Sequence, residues 1–301
     1  MSAQPNSLAA SWIARRTGVA DYLELTKPGV TGLILFACAV GFYLASPGGW
    51  AVLPLLHTLA GTAMVAGGTA ALNQFWEREQ DAKMRRTRNR PLPAGRMAPW
   101  KALWFGVALA LFGTVYLWLL VNRLSAALAA LTLLSYLFFY TPLKTRSPHC
   151  TLVGSFPGAI PPLIGWAAVE GSLPLAAWTL YGMLFLWQFP HFLSIAWLYR
   201  EDYERAGIAM LPVVEPDGKS TARQVVLYAG ALLPVSLLPT WLGVTGGVYF
   251  SGALLLGLGF LYVAARTAMA KTRLEARRLL QASVFYLPLI YGLMLLDKTP
   301  R

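Results

Sequence analysis

Long apolar blocks separated by short polar segments recur along the whole chain. Each block is close to the roughly 20 residues that an α-helix needs to cross the hydrocarbon core of a bilayer. Continuous apolarity is unlike the alternation of a membrane β-barrel, and a helix satisfies its backbone hydrogen bonds internally. The pattern predicts an all-α, polytopic membrane protein. We expect about nine transmembrane helices, at 29–46, 52–72, 102–121, 124–140, 152–169, 173–197, 225–243, 247–265 and 279–296.

Composition supports this interpretation. Of the 301 residues, 56% are hydrophobic and only 13% are charged. A soluble domain of this length has too little interior to hide so much apolar surface. No soluble domain or repeat interrupts the pattern, so we expect residues 1–301 to form a single integral membrane domain.

The distribution of basic residues predicts the orientation. With the N-terminus in the cytoplasm, the cytoplasmic segments contain 22 of the 25 Lys and Arg residues, beginning with Arg15, Arg16 and Lys27. Short cytoplasmic loops concentrate these residues in membrane proteins. The net charge of +12 is therefore explained by topology, and no nucleic-acid partner is expected.

A group of oxygen-bearing side chains follows the second predicted span. Asn73, Glu77 and Asp81 are spaced four and four, so they share one face if the helix continues. Mg²⁺ prefers oxygen ligands and is usually held by one or two carboxylates together with substrate phosphates. The spacing therefore indicates a magnesium–diphosphate site at the membrane boundary.

Basic residues close to this group are suited to bind phosphate. They are Arg86, Arg90, Lys144 and Arg146. An ordinary solvated, positively charged loop is the alternative interpretation. Three oxygen side chains in register favour the site. Pro91 and Pro93 predict that the helix ends by Arg90.

Polar residues also mark the end of the sixth predicted span. Gln188 and His191 are three residues apart, with Pro190 between them, and are predicted to share a helix face. Ionisable residues inside a membrane span are functional candidates by default. Asp202 follows on the same side of the membrane as Asp81, so the two acidic groups are predicted to face a shared cavity. A helix-capping role is the alternative for Asp202.

The fifth predicted span is interrupted by Pro157, Gly158, Pro161 and Pro162. Broken helices persist in membranes where protein or cavity water satisfies the freed carbonyl groups. The interruption therefore predicts a central cavity walled by the helices.

Taken together, these motifs resemble the UbiA-type intramembrane prenyltransferases, and within them the branch that modifies haem. Asn73-xxx-Glu77-xxx-Asp81, with Arg86-Thr87 and Asn89-Arg90-Pro91-Leu92 after it, is similar to the family's first aspartate-rich signature. Asp202-Tyr203-xx-Ala206-Gly207-xx-Met210-Leu211-Pro212 is similar to the haem branch's second signature. The chain departs from the common pattern at Glu77, where many relatives have Asp, and at Ala209, where Pro is common. The resemblance extends over 25–28, 73–93, 140–144, 158–166 and 188–212.

The resemblance implies transfer of a farnesyl group from farnesyl diphosphate to a vinyl group of haem b, with Mg²⁺ as cofactor. It implies a multi-pass protein of the bacterial inner membrane whose active site faces the cytoplasm. Haem A synthase or terminal-oxidase assembly factors are the implied protein partners. The implied catalytic residues are Asn73, Glu77, Asp81 and Asp202, of which the last three bind the metal; the diphosphate contacts are Lys27, Arg86, Arg90, Lys144 and Arg146; the acceptor contacts are Gln188 and His191.

Two other functions compete with this one. An aromatic prenyltransferase of quinone biosynthesis would share the magnesium–diphosphate half of the site, but it usually has a second DxxxD motif. That motif is absent after Asp202, although Glu201 or Glu204 is a possible substitute. A membrane transporter or haem-handling scaffold would also have broken helices and an intramembrane histidine. Such a protein has no need of Asn73, Glu77 and Asp81 in register beside basic residues.

Overall fold

The computed structural model describes residues 18–48 and 50–300, and within them the chain is an all-α bundle. The helices are α1 (Val19–Leu25), α2 (Pro28–Ala45), α3 (Val52–Trp76), α4 (Arg78–Lys83), α5 (Pro99–Leu120), α6 (Arg123–Ser135), α7 (Thr141–Leu143), α8 (Cys150–Gly158), α9 (Pro161–Glu170), α10 (Leu175–Leu198), α11 (Arg200–Arg205), α12 (Leu211–Val214), α13 (Lys219–Trp241), α14 (Gly247–Ala270) and α15 (Arg273–Leu296).

The long helices coincide with the predicted spans. In the described part of the chain, eight spans are long and apolar enough to cross a membrane: α2, α3, α5, α6 with α7, α8 with α9, α13, α14 and α15. Helix α10 has 24 residues and is not among the eight, because Trp187, Gln188, Pro190 and His191 lower its apolarity. The fold class is confirmed. The count of nine and the cytoplasmic N-terminus stay predictions, and Arg15 and Arg16 lie outside the described residues.

The break in the fifth span is confirmed. Helix α8 ends at Gly158 and α9 begins at Pro161. The second half packs closely on α2, since a Cβ on Gly165 would collide with the Cys38 carbonyl and one on Gly41 would collide with Pro162. Small residues allow such backbone contact between membrane helices. The glycines therefore hold α9 against α2 and the broken span inside the bundle.

Short helices cover one end of the bundle, which we call the polar end and define by α1, α4, α11 and α12. Gln74 near the end of α3 donates from Nε2 to the Leu25 carbonyl at 2.9 Å. Arg96 binds Asp21 at 2.5 Å and Glu24 at 2.6 Å. These contacts fasten α1 to α3 and to the long loop after α4, so the predicted site lies between anchored segments.

Candidate active site

Asn73, Glu77 and Asp81 keep the predicted register across a break in the helix. Helix α3 ends at Trp76, and Glu77 has φ −92° and ψ 10° before α4 begins. The hydrogen bonds continue through the break, from Glu77 N–H to the Asn73 carbonyl at 2.9 Å and from Asp81 N–H to the Glu77 carbonyl at 2.8 Å. All three side chains therefore remain at the polar end of α3 and α4.

The helix ends before Arg90, as predicted, but the prolines are not what ends it. Helix α4 ends at Lys83, and Met84 is extended and buried. Met84 packs in an apolar cluster with Ala206 and Ile208, while the Thr87 hydroxyl donates to the Asp81 carbonyl at 2.8 Å. Burial of Met84 and capping by Thr87 stop the helix before the prolines do.

Each of the three oxygen-bearing residues contacts a cation that is distant in sequence or beyond the helix end. Lys27 Nζ donates to Asn73 Oδ1 at 2.9 Å. Lys144 Nζ lies 2.7 Å from Glu77 Oε1, and Arg90 Nη1 donates to Asp81 Oδ2 at 2.7 Å. Three of the five predicted diphosphate-binding residues are thereby assembled beside the predicted acids.

The electrostatics of the two lysines differ. Desolvation, together with the positive charges of Arg90 and Lys144, lowers the pKa of Lys27 to about 7. Desolvation is also the largest single effect on Lys144, but interactions with Glu77, Tyr140 and Tyr136 together outweigh it and raise the pKa of Lys144 well above its usual value. Lys144 is therefore a fixed cation, whereas Lys27 changes its charge near neutral pH.

Asp81 has the features of an incomplete metal ligand. Its side chain is only 1% exposed, and Oδ1 accepts no hydrogen bond from any described residue. A buried carboxylate oxygen without a partner is costly, and a divalent cation relieves that cost. Among the described residues, however, no three His, Cys, Asp or Glu side chains are grouped closely enough to hold a metal by themselves. The donor chemistry fits magnesium if a substrate supplies further oxygen ligands, and the predicted set of Glu77, Asp81 and Asp202 stays a prediction.

Asp202 lies on α11 and pairs with Arg205 on the same helix. The loop after α4 meets α11 through Arg86, which donates to the Tyr203 hydroxyl at 3.4 Å and lies over the Tyr199 ring at 5.4 Å. The two acidic segments thus belong to adjoining parts of the polar end. The structure gives Asp81 and Asp202 no direct contact with each other.

Two residues that the sequence analysis did not assign support the site. Asn73 Nδ2 donates to the buried Thr141 hydroxyl at 3.4 Å, and Lys144 Nζ lies 4.5 Å from the centre of the Tyr140 ring. Tyr140 is the last residue of a π-helical turn at 136–140, and Thr141 follows it. Such turns are often found at functional sites. The position of these two residues directly before Lys144 in the sequence was the available signal.

An open cleft adjoins the acid–cation contacts. Its volume is about 300 Å³. Glu77 and Lys144 contribute to its wall, as do Gln80 and Thr141. The cleft gives a polar ligand access to Glu77 and Lys144 from outside the bundle.

Three predicted residues make no hydrogen bond or ion pair to the acids and cations of this centre in the described part of the chain. Arg146 is exposed, without an ion pair to any described residue. Gln188 donates to the Ser155 carbonyl at 3.1 Å and to the Leu184 carbonyl at 3.2 Å, so it faces α8. His191 instead contacts Ser283 on α15 at 2.8 Å. Gln188 and His191 therefore lie one turn apart on α10, as the prediction of a shared face requires, but their side chains bond to two different neighbouring helices.

The family profile and the sequence relatives that match this chain are those of prenyltransferases. The sequence profile of the UbiA prenyltransferase family matches residues 34–289. The chain is 57% identical to the protoheme IX farnesyltransferase of Solibacter usitatus, over 92% of this chain and 98% of that one. It is 48% identical to the protoheme IX farnesyltransferase of Koribacter versatilis, over 94% and 96% of the two chains.

Solved structures support the same fold. A digeranylgeranylglyceryl phosphate synthase superposes with a TM-score of 0.78 at 18% identity, over 93% of this chain and 98% of that one. A UbiA homolog from Archaeoglobus fulgidus, bound to GPP and Mg²⁺, superposes with a TM-score of 0.65 at 15% identity, over 91% and 99%. The profile and the sequence relatives span nearly the whole chain. The chain therefore belongs to the UbiA prenyltransferase family.

Proposed function

We propose that this chain transfers the farnesyl group of farnesyl diphosphate to a vinyl group of haem b, giving haem O and diphosphate. The observation that carries the proposal is the 57% identity to a protoheme IX farnesyltransferase over 92% of the chain. The contacts at the polar end agree with this chemistry, since they place acids and cations together where a diphosphate and a divalent cation would both find partners.

The paired charges suit a substrate that enters with its metal. Glu77 is paired with Lys144 and Asp81 with Arg90. Breaking a buried ion pair is expensive when one charge is left uncompensated. A magnesium–diphosphate complex supplies an anion to the basic partners and a cation to the acidic ones, so both sides stay compensated when the pairs open.

Magnesium, when bound, would be held by Glu77, Asp81 and Asp202 and would stabilise the negative charge that develops on the leaving diphosphate. The Archaeoglobus fulgidus relative with bound GPP and Mg²⁺ and the unpartnered oxygen of Asp81 support this assignment. Asn73 orients Lys27 through their hydrogen bond. Lys27, Arg90 and Lys144 then bind the diphosphate oxygens, with Arg86 and Arg146 at the outer edge.

The transfer step follows from these roles. The bond between the farnesyl C1 and the diphosphate oxygen breaks, and the diphosphate keeps the electron pair. The vinyl group attacks the allylic carbon, and water adds to the resulting cation with release of one proton. The surrounding apolar helices protect the farnesyl cation from capture by water before the vinyl group attacks.

The location of the site also belongs to the proposal. We place the polar end on the cytoplasmic face of the bacterial inner membrane, because nearly all basic residues then lie on the cytoplasmic side. Haem A synthase or terminal-oxidase assembly factors are the expected protein partners, since the product must pass to a later enzyme.

The test is an assay of the purified protein in detergent with haem b, farnesyl diphosphate and Mg²⁺, scored by mass spectrometry. Farnesylated haem that disappears with EDTA and returns with added Mg²⁺ is the expected result. Parallel reactions contain 4-hydroxybenzoate in place of haem. Prenylation of the aromatic acid without haem product would replace the acceptor, and transfer to neither compound would overturn the proposed function.

A further inference from the structure

Three side chains at the seam between α10 and α15 form a unit outside the diphosphate site. Trp187 and His191 lie one turn apart on α10, and Ser283 lies on α15. Trp187 is 4% exposed and Ser283 is fully buried, whereas His191 is half-buried. Two members of the unit are therefore enclosed, and the imidazole is the one that remains accessible.

The hydrogen bonds of Ser283 determine which imidazole nitrogen carries the proton. The Ser283 hydroxyl lies 2.7 Å from the Leu280 carbonyl, which can only accept, so the single hydroxyl hydrogen is donated there. At its 2.8 Å contact with His191 Nδ1, the same oxygen must then accept. Nδ1 of His191 therefore bears the hydrogen, and in the neutral ring Nε2 keeps its lone pair.

The plane of the imidazole is also held in place. The Trp187 indole stacks on the His191 ring, with centroids 4.6 Å apart and planes 19° apart. The indole N–H donates to the Ser283 backbone carbonyl at 2.8 Å. Ser283 thus anchors both rings, one through its carbonyl and one through its hydroxyl. Nε2 makes no hydrogen bond to any residue in the described ranges, so it is available to a ligand.

We propose that Ser283 is a positioning residue that presents Nε2 of His191 to the iron of the acceptor haem. The inference rests on the proposed function, because that function supplies the haem. Histidine ligands of metals commonly donate their other ring N–H to a fixed partner, which sets the tautomer and the ring orientation. The Ser283 hydroxyl has that relation to His191, and the stacked Trp187 restricts rotation of the ring.

Titration with haem b tests the inference without farnesyl diphosphate or Mg²⁺. Absorbance and EPR spectra report the ligand of the iron, and the titration gives Kd. The wild-type protein should show histidine ligation, which His191→Ala should lose. Ser283→Ala should weaken haem binding by about 10- to 100-fold, the range for loss of a residue that orients a metal ligand, and should change the spectrum. Ser283→Thr retains the hydroxyl and should resemble the wild type.

Ser236 provides a matched control. It is fully buried in α13 and donates to the Leu233 carbonyl at 2.7 Å, the same local bond that Ser283 makes to Leu280. Ser236→Ala should leave the haem spectrum unchanged, provided that gel filtration shows each variant to be folded. An unchanged spectrum in Ser283→Ala or His191→Ala would overturn the inference, as would equal losses in Ser283→Ala, Ser283→Thr and Ser236→Ala.

The two proposals fail separately. A protein that binds haem through His191 but makes no farnesylated product would overturn the proposed function and leave the role of Ser283 intact. A protein that makes the product while its bound haem shows no histidine ligation would overturn the role of Ser283 and leave the proposed function intact.

Discussion

Asp81 and Glu275 are both buried carboxylates paired with arginine, yet their surroundings differ. Glu275 at the start of α15 has a side-chain exposure of 7%, and its Oε1 accepts from Arg266 at 3.1 Å and from Arg278 at 2.5 Å. Asp81 has a side-chain exposure of 1% and one arginine partner, and its second oxygen has no described partner. Glu275 is satisfied by the fold, whereas Asp81 is left incomplete.

The helix environment increases this difference. Glu275 lies in the first turn of α15, and its backbone N–H donates to the capping Thr272 hydroxyl at 3.2 Å. A negative charge is favoured at that end of a helix. Asp81 lies between a broken helix and a turn, in the segment that adjoins the Glu77–Lys144 pair. Incomplete satisfaction of a buried acid therefore distinguishes a candidate site from a structural ion pair, although both look alike in a list of ion pairs.

The largest effect is expected from Asp81→Asn. The substitution keeps the size of the side chain but removes the charge that would bind magnesium and pair with Arg90. We expect kcat for farnesyl transfer to fall by about 10²- to 10³-fold, the usual cost of losing one group that stabilises transition-state charge. Mass spectrometry of the haem product measures this kcat. Retention of wild-type kcat by a folded Asp81→Asn protein would remove Asp81 from the metal site.

The next effect concerns the Glu77–Lys144 pair. Lys144→Met leaves a buried carboxylate unpaired and removes one diphosphate contact, so kcat/KM for farnesyl diphosphate should fall by about 10- to 100-fold. Lys144→Arg, which keeps the charge, should recover part of the loss. The exposed pair of Lys219 and Asp217, 3.3 Å apart, provides the control, and Lys219→Met should change kcat/KM little. Equal effects of Lys144→Met and Lys219→Met would contradict a binding role for Lys144.

Glu275→Gln should affect stability rather than chemistry. Two arginines lose a charged partner, but both are about half exposed, so the free energy of unfolding should fall by only about 1 kcal/mol. A lower Tm in detergent with kcat within about twofold of the wild type is the expected result. A loss of kcat comparable to that of Asp81→Asn would mean that a satisfied buried acid also takes part in the reaction. The distinction between Glu275 and Asp81 would then be wrong.

Much of the fold could be predicted because a bilayer restricts the choices. Apolar blocks of sufficient length become helices, and the break between Pro157 and Pro161 follows from missing backbone donors. The register of Asn73, Glu77 and Asp81 was also accessible, since it depends on local helical spacing. These features depend only on residues that are close together in the sequence.

The rest depends on contacts between distant segments. The pairing of Glu77 with Lys144 requires knowledge of how α3 packs against the turn after α7, which the spacing of residues does not contain. The cause of the helix end at Lys83 could not be predicted, because it depends on burial of Met84 against residues near 206–210 rather than on the prolines. The bond from Gln188 to the Ser155 carbonyl on α8 is likewise a contact between helices that the sequence spacing does not contain.

A pH dependence is also expected, and it comes from Lys27. Its pKa is lowered to about 7, so the empty site holds a cationic Lys27 below that pH and a neutral one above it. A diphosphate favours the cation, so substrate binding above pH 7 takes up a proton. The apparent KM for farnesyl diphosphate should therefore rise with pH above about 7, with a limit of tenfold per pH unit.

Lys27→Met separates this effect from titration of the substrate. The variant should have a higher KM at pH 6, where it lacks the cation, and its KM should approach the wild-type value as the pH rises toward 9. Because both proteins meet the same ionic form of farnesyl diphosphate at each pH, the ratio of their KM values isolates Lys27. A ratio that stays constant from pH 6 to 9 would mean that Lys27 does not exchange a proton when the diphosphate binds, and a constant ratio of one would remove Lys27 from the diphosphate contacts.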